Sequence, residues 1–184
     1  NNALVIINGS GGIGKTTIMT EYILRYRPNY DAIAVLNDCD MKNLYHGNLN
    51  RLASRFFQYN DKEEMVQINK KRKRLNEEEV EQFLLEKLNS FKDQSSVLLV
   101  FDNADTIDSI ETIAPFIRKL SNRVHIIVTT RIQREESFYP FFESSIDETD
   151  FSKYILRVPK LSLQASMIYM RKKLNLDLDK ECAN

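Results

Sequence analysis

The segment that most constrains the fold is GSGGIGKTT, at residues 9–17, which closely follows the apolar run ALVII at residues 3–7. Four of the five glycines of the chain lie between Gly9 and Gly14. Glycine adopts left-handed backbone conformations at little cost, so this concentration predicts a tight loop whose amides turn inward. An apolar strand before the loop and an amphipathic helix after it predict a strand–loop–helix unit.

Residues 9–16 match the pattern G-x-x-x-x-G-K-[ST] at every defined position. The amides of such a loop surround a phosphate, and the positive end of the following helix faces the same anion. Lys15 is expected to reach the β- and γ-phosphates, Thr16 to bind Mg²⁺ through its hydroxyl, and Thr17 to lie near the α-phosphate. The predicted phosphate-binding residues are Gly11, Gly12, Ile13, Gly14, Lys15, Thr16 and Thr17.

The composition is that of a folded globular domain. The 184 residues are 42% hydrophobic and 28% charged, with 26 basic and 26 acidic residues. This balance argues against a broad nucleic-acid-binding surface, and no apolar run approaches the roughly 20 residues that span a bilayer. Cys39 and Cys182 lie far apart without metal-ligand spacing, which favours thiols in a reducing compartment. We therefore expect a cytoplasmic protein without a membrane partner.

Five apolar runs alternate with helix-like segments along the chain. The first four runs are nearly continuous, which is typical of parallel strands covered on both faces. This alternation predicts an α/β fold with right-handed crossovers. The predicted strands are 3–7, 32–36, 97–101, 124–128 and 154–158, and the predicted helices are 15–26, 48–57, 78–91 and 109–120, with Pro115 near the first turn of the last helix or at a kink.

A second motif, VLLVFDNAD at residues 97–105, ends an apolar strand with Asp102. Ligands bind at the carboxyl ends of strands in open parallel sheets, so Asp102 is predicted to hold Mg²⁺ through a water. The next residue is Asn103, whereas many ATPases have a glutamate there that activates the attacking water. Asp105 could replace that glutamate only if the turn brought it back. Slow hydrolysis is therefore expected.

A third motif, VHIIVTTR at residues 124–131, ends a buried strand with two threonines and an arginine. A guanidinium at this edge is predicted to touch the γ-phosphate, which would distinguish a triphosphate from a diphosphate. The predicted catalytic residues are therefore Lys15, Asp102 and Arg131. His125 alternates with apolar neighbours and is expected to be a core histidine with a hydrogen-bond partner.

Features of several other phosphate-binding classes are absent. The chain has no guanine-reading Asn-Lys-x-Asp sequence after a strand and no LSGGQ-like signature of transporter ATPases. The position of the extra loop lysine of partition ATPases holds Ser10. The segment after Arg131 is acidic and aromatic instead of rich in arginine, unlike the lid of small-molecule kinases.

The combination of INGSGGIGKTTIMTEYILRY, VLLVFDNAD, VHIIVTTR and LRVPKLSLQASMIYMRKKL resembles the NB-ARC domain of the STAND class of signalling NTPases. The resemblance spans about residues 3–175. It implies a P-loop three-layer sandwich whose five-stranded parallel sheet has the order 5-1-4-3-2. It also implies a nucleotide-binding core at 1–159 and the start of a truncated helical lid at 160–184.

The resemblance further implies ADP or ATP as the nucleotide, Mg²⁺ on Thr16 and Asp102, and Arg131 as the γ-phosphate sensor. The protein would be held inactive with ADP by lid, sensor and effector domains missing here, and would form a homo-oligomer with ATP. The predicted function is thus a nucleotide switch with slow ATP hydrolysis. Two alternatives stay open: an active ATPase or phosphotransferase, and a nucleic-acid-dependent NTPase that uses the basic run NKKRKR at residues 69–74, which is otherwise a solvated connection.

Overall fold

The computed structural model describes residues 4–37, 39, 42–59, 76–91, 96–142 and 153–174. Strands and helices alternate through most of this range, as the sequence predicts. The strands are β1 (Leu4–Asn8), β2 (Ala32–Leu36), β3 (Val97–Phe101), β4 (Val124–Thr130) and β5 (Ile155–Arg157). The helices are α1 (Lys15–Tyr26), α2 (Lys42–Tyr59), α3 (Glu77–Asn89), α4 (Ile107–Arg118) and α5 (Leu163–Leu174), with 3₁₀ turns at Arg27–Asn29 and Glu135–Phe141.

The five strands form one sheet in the order β2-β3-β4-β1-β5, and every neighbouring pair is parallel. This is the predicted order read from the other edge, so the predicted α/β fold of the P-loop NTPase type is confirmed. β1 lies between β4 and the edge strand β5, which places the loop after it one strand in from the edge of the sheet. All carboxyl ends therefore point to the edge that carries the glycine loop.

The sheet separates a large core from a small one. β3 is buried along its whole length because its side chains point alternately to the two faces of the sheet and both faces are covered. On one face the sheet packs against α2, α3, α4 and the 3₁₀ turn at Glu135–Phe141. On the other face Leu98, Val100 and Ile127 pack with α1, chiefly through Met19.

Two helices begin with reciprocal side-chain caps. In α3 the Asn76 side chain accepts a hydrogen bond from the backbone N–H of Glu79. The Glu79 carboxylate in turn accepts one from the backbone N–H of Asn76. Thr106 and Ser109 make the same exchange at the start of α4. The second cap places the beginning of α4 just after Asp105, so the short segment between β3 and α4 is fixed at both ends.

Several predicted boundaries needed correction. α2 is longer than predicted, at Lys42–Tyr59 instead of 48–57. β4 extends two residues further than predicted, to Thr130, and β5 is one residue shorter at each end. Pro115 lies well inside α4, not near its first turn. The helix predicted near the end of the chain is α5, whose described apolar side chains are largely exposed: Leu163 78%, Met167 43% and Ile168 52%.

His125 lies where a core histidine was expected, and Cys39 is a buried thiol. The half-buried imidazole of His125 has its Nδ1 atom 3.0 Å from the hydroxyl of Tyr30, in keeping with a partnered histidine. Cys39 is 1% exposed, and its thiol donates to the carbonyl of Leu36. Cys182 lies outside the described residues. Among the described residues, no helix is both long and apolar enough to cross a membrane.

Candidate functional site

The glycine loop, residues 9–14, joins β1 to α1. Gly12 and Gly14 adopt positive φ angles of 72° and 103°, and a Cβ added to either would meet no atom within 4 Å. Side chains other than glycine would be strained there although there is room for them. The loop therefore needs glycine at these two positions for its backbone shape, as predicted.

Gly11 and Ile13 take different positions in the loop. The backbone N–H of Ile13 donates to the carbonyl of Ser10 across 3.4 Å, which closes the turn. Gly11 is exposed, and a Cβ there would lie 3.5 Å from Nη1 of Arg131. The structure thus brings the loop predicted from the first motif against the arginine predicted from the third.

Lys15 is buried within the loop. Its ammonium donates to the carbonyls of Gly9 at 2.8 Å and Ser10 at 3.1 Å, and the residue is only 6% exposed. Burial lowers the pKa of this ammonium below its ordinary value, against the opposing effect of the nearby Asp105 carboxylate. Because an ammonium has three N–H donors, one remains for a further acceptor. Lys15 is thus held at the loop with a donor to spare.

Thr16 and Asp102 meet across the site. The hydroxyl of Thr16, in the first turn of α1, lies 3.5 Å from both carboxylate oxygens of Asp102 at the end of β3. Thr16 and Thr17 are exposed, whereas Asp102 is 5% exposed. A solvent-facing hydroxyl and a buried carboxylate therefore share one point at the sheet edge, as the sequence predicts.

The end of β4 orients Asp102. Thr129 is fully buried, and its hydroxyl donates a hydrogen bond to Oδ1 of Asp102. The same hydroxyl accepts a hydrogen bond from the backbone N–H of Asn103 at 2.9 Å. Asn103 has a φ of 60°, the left-handed region that asparagine tolerates better than most residues. Sequence reasoning assigned Thr129 only a general polar role. Its link to Asp102 depends on the β3–β4 pairing, which juxtaposes residues 27 positions apart.

Asp105 binds Arg131 twice, a contact that sequence reasoning missed. Its Oδ1 accepts the backbone N–H of Arg131 at 2.8 Å, and its Oδ2 pairs with Nε of the same residue at 2.9 Å. The turn after β3 therefore directs this carboxylate toward the end of β4. The only sequence signal for the contact was that acidic and basic residues follow two apolar strands.

The donor set fits a magnesium ion that arrives with a nucleotide. Among the described ranges, no group of three or more His, Cys, Asp and Glu side chains is arranged to hold a metal. Mg²⁺ in nucleotide sites is commonly held by one or two protein oxygens together with phosphates and waters, not by a cage of protein ligands. The hydroxyl of Thr16 and the carboxylate of Asp102 supply such hard oxygen ligands.

The family model that matches the sequence agrees with this geometry. A family model described as an AAA domain matches residues 1–136, which is most of the chain. Among 47 matching chains of solved structures is a structure of C. elegans PCH-2, 17% identical with a TM-score of 0.36. That match covers 98% of this chain but 42% of the other, so this chain spans less than half of that relative. No curated protein matches the sequence.

Proposed function

The chain belongs to the AAA domain family, and from that premise we propose that it is the switch core of a signalling NTPase similar to NB-ARC proteins. A domain of this family is a P-loop nucleotide-binding module. We further propose that ADP and ATP are alternative ligands that select different states of a longer protein. The observation that carries it is the position of Arg131, whose guanidinium lies beside the glycine loop at Gly11.

In this proposal the glycine loop binds the phosphates common to ADP and ATP. The loop amides and the positive end of the α1 dipole face the anion, and Lys15 offers its remaining N–H donor. Thr16 and Asp102 would hold Mg²⁺, which neutralises phosphate charge when it is bound. Thr17, one residue further along α1, is exposed toward solvent and would lie near the α-phosphate.

Arg131 provides the difference between the two nucleotides. A ligand shifts a conformational equilibrium only by its differential affinity for the two states. A guanidinium beside the loop can contact a terminal phosphate that ADP lacks, and Arg131 carries its charge at every physiological pH. ATP binding would therefore bias the lid, sensor and effector domains of a full-length protein toward an active homo-oligomer in the cytoplasm.

Asn103 favours a switch over a rapid enzyme. It follows Asp102 directly, at the position where many ATPases have a glutamate that accepts a proton from water, and an amide cannot accept that proton. Asp105 is engaged by Arg131 through two contacts. We therefore expect turnover of MgATP below about 1 s⁻¹, the lower end of typical enzyme rates. A steady-state phosphate-release assay showing turnover of tens per second would favour the rival ATPase.

The proposal is tested by comparing the affinities for ATP and ADP in the variant Arg131→Ala. We expect ATP affinity to fall about tenfold, the loss of roughly 1.4 kcal/mol, while ADP affinity changes by less than about twofold. Isothermal titration calorimetry measures both constants. Arg118→Ala, an exposed arginine near the end of α4, is the matched control and should change neither. Equal losses for the two nucleotides in Arg131→Ala would remove the sensor role.

The structure does not test the nucleic-acid-dependent alternative. Its basic run at residues 69–74 lies outside the described residues. That reading predicts salt-sensitive binding of DNA or RNA that is lost when Lys70 to Arg74 are neutralised.

A further inference from the structure

We propose that Asp105 is the positioning residue that holds the Arg131 guanidinium beside the glycine loop, and that the preference for a triphosphate depends on it. This inference rests on the proposed function, because it concerns how the same site reads the terminal phosphate. It assigns Asp105 a role different from that of a general base.

The two contacts between Asp105 and Arg131 act together. One carboxylate oxygen binds the backbone N–H of Arg131 at 2.8 Å, where β4 has just ended. This bond fixes the carboxylate relative to the sheet, so the second oxygen fixes Nε of the side chain at 2.9 Å. The Asp105 side chain is 15% exposed and the Arg131 side chain 58% exposed. A shielded carboxylate thus anchors a guanidinium that would otherwise sample many rotamers.

The anchoring leaves the outer end of the guanidinium available. Nε is the atom that pairs with Asp105, and the group lies over Gly11, with Nη1 and Cζ 3.5 and 3.6 Å from the position of an added Cβ. Those distances are ordinary contact distances. The terminal nitrogens carry the N–H donors suited to paired bonds with phosphate oxygens. Asp105 therefore orients the arginine without using the donors that a phosphate needs.

A competing role for Asp105 makes the opposite prediction. If the carboxylate only neutralised Arg131, its removal would free the arginine and strengthen ATP binding relative to ADP. Removing a negative charge beside the glycine loop should lessen the repulsion of every polyphosphate to a similar degree. The ratio of ATP affinity to ADP affinity separates positioning from neutralisation.

The experiment measures that ratio by calorimetry in the wild type, Asp105→Asn and the control Asp108→Asn. Asp108 is exposed in the first turn of α4, three residues away. We expect Asp105→Asn to keep or raise ADP affinity and to lower the ATP/ADP ratio about tenfold, as Arg131→Ala does. Asp108→Asn should leave the ratio unchanged. A ratio in Asp105→Asn that is unchanged or higher than in the wild type overturns the positioning role.

The double variant Asp105→Asn/Arg131→Ala tests whether the two residues act as one unit. We expect its ATP/ADP ratio to match that of Arg131→Ala alone, since a positioning residue has nothing left to position. Two losses that add would contradict the inference even if each single variant behaved as expected. Asp105→Glu, which keeps the charge but moves it by one methylene, should recover only part of the ratio. Full recovery would show that charge alone is required and would also overturn the inference.

Failure of the inference and failure of the proposed function give different results. If the wild type binds neither ADP nor ATP, both fall. If the wild type prefers ATP and Arg131→Ala loses that preference while Asp105→Asn keeps it, the switch function stands and the role of Asp105 is wrong.

Discussion

The glycine loop and the strand edge, which comprises residues 102–105 and 129–131, border the same site but are shaped by different forces. The loop takes its form from backbone conformations at Gly12 and Gly14, where an added Cβ would meet no atom within 4 Å. The strand edge takes its form from side-chain pairs that cross between β3 and β4. The loop depends on glycines, which have no side chain, and the strand edge depends on polar and charged side chains.

The two regions should therefore contribute differently to nucleotide binding. Backbone amides and a lysine recognise phosphate groups in general, so the loop should set affinity for ADP and ATP alike. A carboxylate and a guanidinium on the strand edge respond to a metal ion and to the number of phosphates. Changes in the loop should therefore alter how tightly nucleotides bind, and changes at the strand edge should alter which nucleotide is preferred. Four experiments probe the two regions, and they are given in order of decreasing effect.

Lys15→Met should reduce the affinity for both ADP and ATP more than 100-fold, about 2.7 kcal/mol, because it removes the buried cation of the loop. Methionine keeps much of the aliphatic stem, so the apoprotein should still fold, which circular dichroism and thermal melting would confirm. The control is Lys119→Met, an exposed lysine at the opposite end of the sheet from the loop. A Lys15→Met protein that is folded and binds ADP normally would contradict the loop assignment.

Asp102→Asn should remove the magnesium dependence of ATP binding. We expect about a 30-fold loss of affinity with Mg²⁺ present, roughly 2 kcal/mol, and little change without it. The asparagine oxygen can still accept the hydrogen bond from Thr129, so the strand edge should keep its geometry. Titrations with and without Mg²⁺ measure the effect. The same loss under both conditions would indicate a structural role for Asp102, not a metal-binding one.

Thr129→Val should destabilise the strand edge without touching the loop. The change keeps the shape of the side chain but removes the acceptor of the Asn103 amide and a donor to Asp102, so the free energy of unfolding should fall by about 1.5 kcal/mol. Urea denaturation measures it. Thr112→Val is the matched control, because that hydroxyl donates to a carbonyl on the exposed side of α4 and its loss should cost less than about 0.5 kcal/mol. Equal effects would show that the buried network adds nothing.

Gly12→Ala and Gly47→Ala should have small effects of opposite sign. Neither added Cβ meets an atom within 4 Å, so only backbone conformation distinguishes the two sites. Gly12, with φ of 72°, should lose about 1 kcal/mol of stability, whereas Gly47, inside α2, should gain roughly 0.5–1 kcal/mol. Thermal melting of both variants checks this. Destabilisation of similar size at both positions would mean that the positive φ of the loop carries no cost.

The fold was predictable because its signals are local. Each strand of the sheet is a short apolar run that two covered faces make nearly continuous, and β3 shows this along its whole length. Helix ends were less predictable. α2 begins six residues earlier than its amphipathic pattern indicates, and Pro115 is accommodated inside α4. Tertiary packing decides such boundaries, and a single-sequence pattern does not report it.

The site was predictable in part, for the same reason. The proximity of Lys15, Thr16 and Asp102 could be predicted because a contiguous motif or the end of a strand marks each of them. The contacts of Asp105 with Arg131 and of Thr129 with Asp102 join residues 26 and 27 positions apart. Their partners are set by the register of β3 against β4, which pairs Phe101 with Val128. Spacing along the chain contains no signal for that register.

A calorimetric titration of the wild type with ATP and with ADP, each in the presence and absence of Mg²⁺, tests most directly whether this site binds nucleotide. A nucleotide site formed by the loop and the strand edge should give saturable one-to-one binding of both nucleotides, tighter with Mg²⁺ and tightest for MgATP. The absence of saturable binding under all four conditions would contradict the claim that the loop and the strand edge together form a nucleotide site.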